Sequence, residues 1–312
     1  MSLATLGDRV LAGTIMDGLY YSDDNGVNWQ VTHFGLQGND PLDPVSNVAI
    51  TETGLFAGDM RGVYRSLDSG TTWVPSDSGM KEPVMYMLGD GNNLIAAVGD
   101  PFSCEYMGNL IYRSTNGGKF WQLANPGLPI TPAFGFAAVD TSLFVSMGGI
   151  YRSNDRGASW SNILTQNVGV LTAQDTTLFA ASATTGVWVS NDQGNTWVRH
   201  NTGLPNSANI TSFAVRDSMI FASSDTLGPS GRAGLVFLST DLGNNWTNVS
   251  AGLDTEGFIS MTVNTEYVFG GDQHRVWRRS LADILGLATV KAEPAQPESF
   301  PSLTQSGNRL TA

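Results

Sequence analysis

YRSNDRGASW, residues 151–160, sets Ser153, Asp155, Gly157 and Trp160 in the pattern S-x-D-x-G-x-x-W. An acid flanked by a hydroxyl and a glycine can be a calcium loop, a catalytic carboxylate with its helpers, or a turn. The rest of the chain decides, because the stretch returns five more times. It reappears as YYSDDNGVNW (20–29), YRSLDSGTTW (64–73), YRSTNGGKFW (112–121), WVSNDQGNTW (188–197) and FLSTDLGNNW (237–246). The aligned serines are Ser22, Ser66, Ser114, Ser153, Ser190 and Ser239, spaced 37 to 49 residues apart. The acid position holds Asp24, Asp68, Asn116, Asp155, Asp192 and Asp241. The glycines are Gly26, Gly70, Gly118, Gly157, Gly194 and Gly243, and the tryptophans Trp29, Trp73, Trp121, Trp160, Trp197 and Trp246.

Each copy has the same surroundings. Two apolar runs precede it, for example VSNVAIT then GLFAGD, or AFGFAAV then SLFVSM. A third run leads into the serine and a fourth starts at the tryptophan. Short runs rich in β-branched and aromatic residues, bounded by Gly, Asn and Asp, are strand signals. Four strands in a repeat of this length describe a propeller blade. Second strands are expected near 9–13, 54–58, 94–98, 143–147, 178–182, 219–223 and 267–271, which makes seven blades. The first blade's innermost strand is expected at about 2–6. An eroded seventh copy is expected in RVWRRSLADILG (275–286), with Ser280 and Gly286 surviving, and the last outer strand at 287–292 if there is one. The fold class is therefore all-β, a seven-bladed propeller of four-stranded antiparallel blades over 1–290. Residues 291–312, with Pro294, Pro297 and Pro301 among small polar residues, read as a linker or tail.

Repetition also settles the acid. A catalytic carboxylate is needed once or twice, not in equivalent places around a ring. Asp and Asn accept backbone N–H bonds locally and fix turns; Gly takes the positive φ that other residues resist; Trp buries a large face between neighbouring repeats. Asn116 keeps the acceptor and loses the charge. One or two carboxylates per turn also fall short of the six to eight oxygens that calcium takes.

The pattern resembles the Asp-box, or bacterial neuraminidase repeat. That resemblance implies a hairpin turn between third and fourth strands at the blade's lower, outer edge, architectural rather than catalytic. Families sharing it include sialidases, xyloglucan hydrolases, sortilin-type receptors, photosystem assembly factors and secreted bacterial propellers. Sialidases carry an Arg-Ile-Pro motif, and none occurs here, since Arg9 is followed by Val10 and Leu11. Arg65, Arg113 and Arg152 suggest an arginine triad, but they occupy one repeat position on separate blades and cannot converge on one anion. Xyloglucan hydrolases of this kind pair two propellers, and here there is one.

Composition narrows the partners. The chain of 312 residues carries a net charge of −12 with only 16 Lys plus Arg, which argues against a nucleic-acid surface. No apolar run is long enough to cross a bilayer as a helix. The single cysteine, Cys104, has no partner for a disulfide within the chain, and the three histidines fall in different repeats, so no thiol–imidazole pair is expected. We expect no catalytic, cofactor or metal residues, and a monomer.

Long connections in a repeat fold mark its working face. Residues 33–45, 99–109 and 224–234 are such connections, the latter two between second and third strands. Candidate ligand-binding residues in the connections of that face are Asp59, Arg61, Asp100, Phe102, Glu105, Tyr106, Arg232, Asp272 and His274. The first functional expectation is a non-catalytic, secreted or cell-surface scaffold that binds a protein or glycan through these upper loops. The second is a glycoside hydrolase with carboxylates in the same loops, which include Asp40, Asp43, Asp254 and Glu256. The third is a propeller like the photosystem assembly factors, a class that favours clustered arginines. VWRRSLADI and SFPSLTQ resemble the join between an Asp-box propeller and a C-terminal domain for type IX secretion, which implies an extracellular protein continuing beyond this chain.

Overall fold

The computed structural model describes residues 1–14, 18–32, 45–80, 82–99, 110–182, 185–206, 208–228, 231–253, 257–272, 275–286 and 298–299, the backbone alone at 226–228, 231–233 and 298–299. Seven four-stranded antiparallel sheets follow one another along the chain, each with its strands in sequence order. Blade 1 comprises Ser2–Leu6, Arg9–Gly13, Leu19–Ser22 and Gln30–Thr32; blade 2, Val45–Thr51, Gly54–Asp59, Val63–Ser66 and Val74–Pro75. Blade 3 comprises Val84–Asp90, Asn93–Val98, Leu110–Ser114 and Gln122–Leu123; blade 4, Gly135–Val139, Ser142–Ser146, Ile150–Ser153 and Ser161–Leu164. Blade 5 comprises Val170–Gln174, Thr177–Ser182, Gly186–Ser190 and Val198–Arg199; blade 6, Asn209–Arg216, Met219–Gly228, Gly231–Ser239 and Thr247–Asn248. Blade 7 comprises Ser260–Val263, Tyr267–Gly271, Arg275–Ser280 and Glu298–Ser299. The first strand at Ser2–Leu6 lies where the sequence places it. The outermost strand does not: it is Glu298–Ser299, paired with Arg275 and Val276, instead of 287–292.

The ring closes without a shared blade. Blade 1 meets blade 7 through Leu3 N donating to Ser260 Oγ (3.0 Å) and Arg278 Nη1 donating to Asn25 O (2.6 Å). It meets blade 2 through Val48 N donating to Ser2 Oγ (3.1 Å). Hydrophobic clusters occupy all seven seams between blades, so burial is distributed around the ring.

The repeated turn explains how each seam is fixed. In all six copies the serine is 1% exposed. Its hydroxyl donates to the Oδ1 two residues on (2.7–2.9 Å) and accepts the glycine N–H (2.7–3.0 Å). The same Oδ1 accepts the backbone N–H of the sixth residue after the serine (2.8–3.0 Å). The side chains of Asn28, Thr72, Ser159, Thr196 and Asn245 donate to the second carboxylate oxygen (2.6–2.7 Å). In the copy with Asn116 that position is Phe120, which has no such donor, so the lost carboxylate oxygen and the lost donor go together. These bonds favour the ionised form, led by those from Asn28, Thr72 and Ser159, and hold Asp24, Asp68 and Asp155 down at about 2. Asp192 and Asp241 are lowered by the equivalent bonds from Thr196 and Asn245.

The turn then locks onto the blade before it. A β-carbon added to the box glycine would come within 2.7–3.5 Å of the central second-strand side chain of the preceding blade, as for Gly118 against Phe56, Gly194 against Phe144 and Gly70 against Leu11. The residue before each glycine also has positive φ, including Leu242 at 55° and Arg156 at 56°. In four of the six copies its carbonyl accepts from an arginine of the preceding blade: Arg9 to Ser69, Arg113 to Arg156 (3.3 Å), Arg152 to Gln193 (3.2 Å) and Arg278 to Asn25 (2.6 Å). Arg113 and Arg152 thus staple blades, and Arg65 donates to Thr53 O in its own blade (2.6 Å). Blade 7 has lost its box, which corrects the expected survival of Ser280. Phe269 pairs with Arg278 as Phe56 pairs with Arg65, so Arg279 stands where the other blades have the box serine. Ser280 instead caps a short helix, Leu281–Ile284, by accepting the Asp283 N–H (3.2 Å).

Replacing Gly118 with Ala forces a left-handed non-glycine residue and a contact of 2.7 Å with Phe56. We expect a loss of about 3 kcal/mol, read as a lower midpoint in urea at unchanged slope. The depressed box carboxylates set a pH dependence as well. Their contribution is complete above the unfolded value near 4 and is lost as pH falls toward about 2. Asp155→Asn is therefore expected to be less stable than the parent at pH 7 and to converge with it near pH 2, which thermal unfolding across that range checks.

Candidate functional site

Antiparallel order within a blade puts two kinds of connection at each end of the ring. The boxes share the lower end with the first-to-second-strand turns. The upper end carries the second-to-third-strand turns and the crossings to the next blade. Among the described residues, the candidates Asp59, Arg61, Arg232 and Asp272 therefore fall on the upper face.

Asp59 and Asp272 occupy the same position, at the end of the second strand in blades 2 and 7, on either side of blade 1. Both are buried, at 1% and 7% exposure. Asp59 Oδ1 accepts the N–H groups of Arg61 (2.7 Å) and Gly62 (2.9 Å). Asp272 Oδ1 accepts the Arg275 N–H (2.7 Å), and its Oδ2 accepts Trp277 Nε1 (3.0 Å) beside the Arg275 guanidinium at 3.9 Å. An acid that closes a tight turn from inside presents little carboxylate to a ligand. Arg61, at the tip of that turn in blade 2, is exposed.

In the stretch 224–234 the described residues, 224–228 and 231–234, are paired strand. Second and third strands of blade 6 continue to a pairing of Gly228 with Gly231, and Arg232 pairs with Leu227. Backbone pairing satisfies the N–H and C=O groups that a loop of this length would leave to solvent. Asp100, Phe102, Glu105, Tyr106 and His274 lie outside the described residues, as do Asp40, Asp43, Asp254, Glu256 and residues 33–44.

The structure adds three residues that the sequence reading passed over. Ile130 is 88% exposed, Phe134 45% and Ile259 43%, all on crossings at the upper end. Phe134 and Ile259 are equivalents in blades 4 and 7: each donates its N–H to the last residue of its own blade's second strand, Ser146 O (3.0 Å) and Gly271 O (2.8 Å). Ile130 stands in LPITPAF, where an isoleucine between two prolines in a connection was the available signal. Chemically, the described upper face offers apolar contact at its rim and carboxylates folded into turns. Among the described residues, the carboxylates with displaced values belong to the boxes at the other end and are displaced downward, the wrong direction for a general acid.

Comparison with known proteins agrees with this architecture. Residues 20–31 match the BNR/Asp-box repeat. The xyloglucanase Xgh74A of Acetivibrio thermocellus is 31% identical over 182 residues, covering 46% of this chain and 21% of that enzyme, so the chain spans about a fifth of the relative it matches. Among solved structures, the GH74 xyloglucanase of Xanthomonas campestris superposes with a TM-score of 0.67 at 15% identity, over 89% of this chain and 51% of that one. YCF48 bound to D1 peptide superposes with a TM-score of 0.65 at 13% identity, over 87% of each chain. Six boxes, seven consecutive four-stranded sheets and this match make the chain a seven-bladed Asp-box β-propeller.

Proposed function

We propose that the protein is a non-catalytic scaffold that binds a polypeptide segment on its upper face, with apolar side chains of the ligand against Ile130, Phe134 and Ile259. The observation that carries this reading is the exposure of those three side chains on the rim crossings, while Asp59 and Asp272 are closed into turns. Large apolar groups held out at the rim of a rigid ring favour association. YCF48, a neighbour of the same fold, is bound to D1 peptide, which supports a peptide ligand for this fold. Kinship with xyloglucanases supports an extracellular location and favours a second reading, a glycan ligand with or without hydrolysis.

An array of peptides and xyloglucan oligosaccharides, read for both binding and released sugar, separates the two. The scaffold reading expects peptide binding without turnover. Ile130→Asp is expected to weaken that binding by about tenfold or more, from the loss of one buried aliphatic contact, with Tm unchanged. Sugar release retained in Ile130→Asp would overturn it in favour of the second reading.

A further inference from the structure

One repeat position lines the upper mouth of the ring. Each first strand touches the first strands of both neighbouring blades, so together they enclose the axis. In blades 2 to 7 the upper end of that strand carries one residue out of step with the second strand. In blades 4, 5 and 7 it is Phe134, Gly169 and Ile259, whose N–H groups go to Ser146 O (3.0 Å), Ala181 O (2.9 Å) and Gly271 O (2.8 Å). In blades 2, 3 and 6 it is Ser46, Met85 and Thr211, each at a register shift opposite the equivalent second-strand residue.

The side chains at this position turn in different directions. Ser46 Oγ donates to Val84 O and Thr211 Oγ1 to Phe258 O (2.7 Å), so both hydroxyls are spent in the seam with the next blade. Phe134 and Ile259 stay exposed. Gly169 carries no side chain, and the fold does not ask for a glycine there. Its φ is not left-handed, and an added β-carbon would have nothing within 4 Å. Of the glycines whose surroundings are described, the others either have positive φ or face a neighbour closely, as Gly13 does Val45 (2.8 Å) and Gly58 does Val84 (2.5 Å). A strand glycine that serves neither purpose weakens the strand for no structural return. Gly169 also adjoins Phe134: Ser146 Oγ donates to Gly169 O (2.6 Å) while Ser146 O accepts the Phe134 N–H. Along blades 4 to 7 the mouth therefore reads exposed phenylalanine, open space, a threonine turned into the seam, exposed isoleucine.

We propose that the open step at Gly169 is a notch for one bulky, uncharged, apolar side chain of the bound polypeptide, packed against Phe134. This rests on the scaffold reading above and adds where the ligand's anchoring residue sits. The chemistry of the anchor follows from the position itself. None of the six residues is charged, the two hydroxyls already donate into the seams, and Gly169 O already accepts from Ser146. A charged or strongly polar side chain placed there would lose water and find no partner, whereas an aromatic or long aliphatic one gains contact at the centre of the mouth.

The probe is N-acetyl-5-fluorotryptophanamide, an uncharged stand-in for such a side chain on its own stretch of main chain, followed by fluorine NMR as the full chain is added. The fluorine signal is expected to shift and broaden saturably with the parent. Gly169→Leu, which fills the notch, is expected to abolish the response at unchanged Tm. Val74→Asp, which removes an exposed apolar side chain on an outer strand, is expected to leave it intact. No saturable response in the parent, a response that survives in Gly169→Leu, or an equal loss in Val74→Asp would each overturn the proposal. If Gly169→Leu does not fold, Gly169→Ala takes its place and is expected to weaken the response. The same variant separates the notch from the scaffold reading on the peptide array. Peptide binding equally strong in the parent and in Gly169→Leu overturns the notch alone. A fluorine response beside an array that retains no peptide overturns the scaffold reading and not the notch.

Discussion

The bond from the serine hydroxyl to the Asp or Asn Oδ1 inside each box is the contact on which the ring depends. It holds two successive residues at positive φ, and so presents a side-chain-free glycine to the preceding blade. Only then can Leu11, Phe56, Ile95, Phe144, Phe179 or Phe269 come close to the turn behind it. A propeller has no single central core, so stability must be gathered seam by seam. The box converts a local hydrogen-bonded turn into a socket between blades, and Arg9, Arg113, Arg152 and Arg278 tie carbonyls of four sockets to the neighbour.

The same arrangement explains what was legible in the sequence. Ser, Asp, Gly and Trp at fixed spacing are a local signal repeated six times, so strand order, blade number and the role of the acid could be read directly. Arg113 and Arg152 could be excluded as an anion site from their repeat positions, but not recognised as staples, because their acceptors are backbone carbonyls in the next repeat. The last blade was misread where the local pattern fails. Arg279 replaces the serine, and the fourth strand comes from Glu298–Ser299 after an intervening stretch that carries no periodic signal. In blade 6, 224–234 looks like a loop from its Gly and Pro content, although register pairing carries the second strand to Gly228 and the third from Gly231.

The candidate site was less legible than the fold for a physical reason. A box must appear in every blade to close a ring, whereas a ligand surface needs only a few side chains on separate blades. Phe134 and Ile259 are unrelated in sequence context and become equivalents only when their strands are aligned in the ring. Asp59 and Asp272 show the reverse. They look like ligand-facing acids in connections, yet burial and turn hydrogen bonds make them part of the frame. Division of labour between the two ends follows: boxes stabilise the lower edge, and the upper rim is free to vary.

The central claim is that each blade is held to the one before it by its box, and that blade 7, without one, is the weakest. Native-state hydrogen exchange tests it most directly. The account predicts that amides in Arg275–Ser280 open at a lower free energy than those in the third strands of blades 3 and 4, Leu110–Ser114 and Ile150–Ser153, whose boxes are intact. Equal or greater protection of Arg275–Ser280 would contradict it, and would mean that strand pairing within a blade, not the box between blades, sets the stability of the ring.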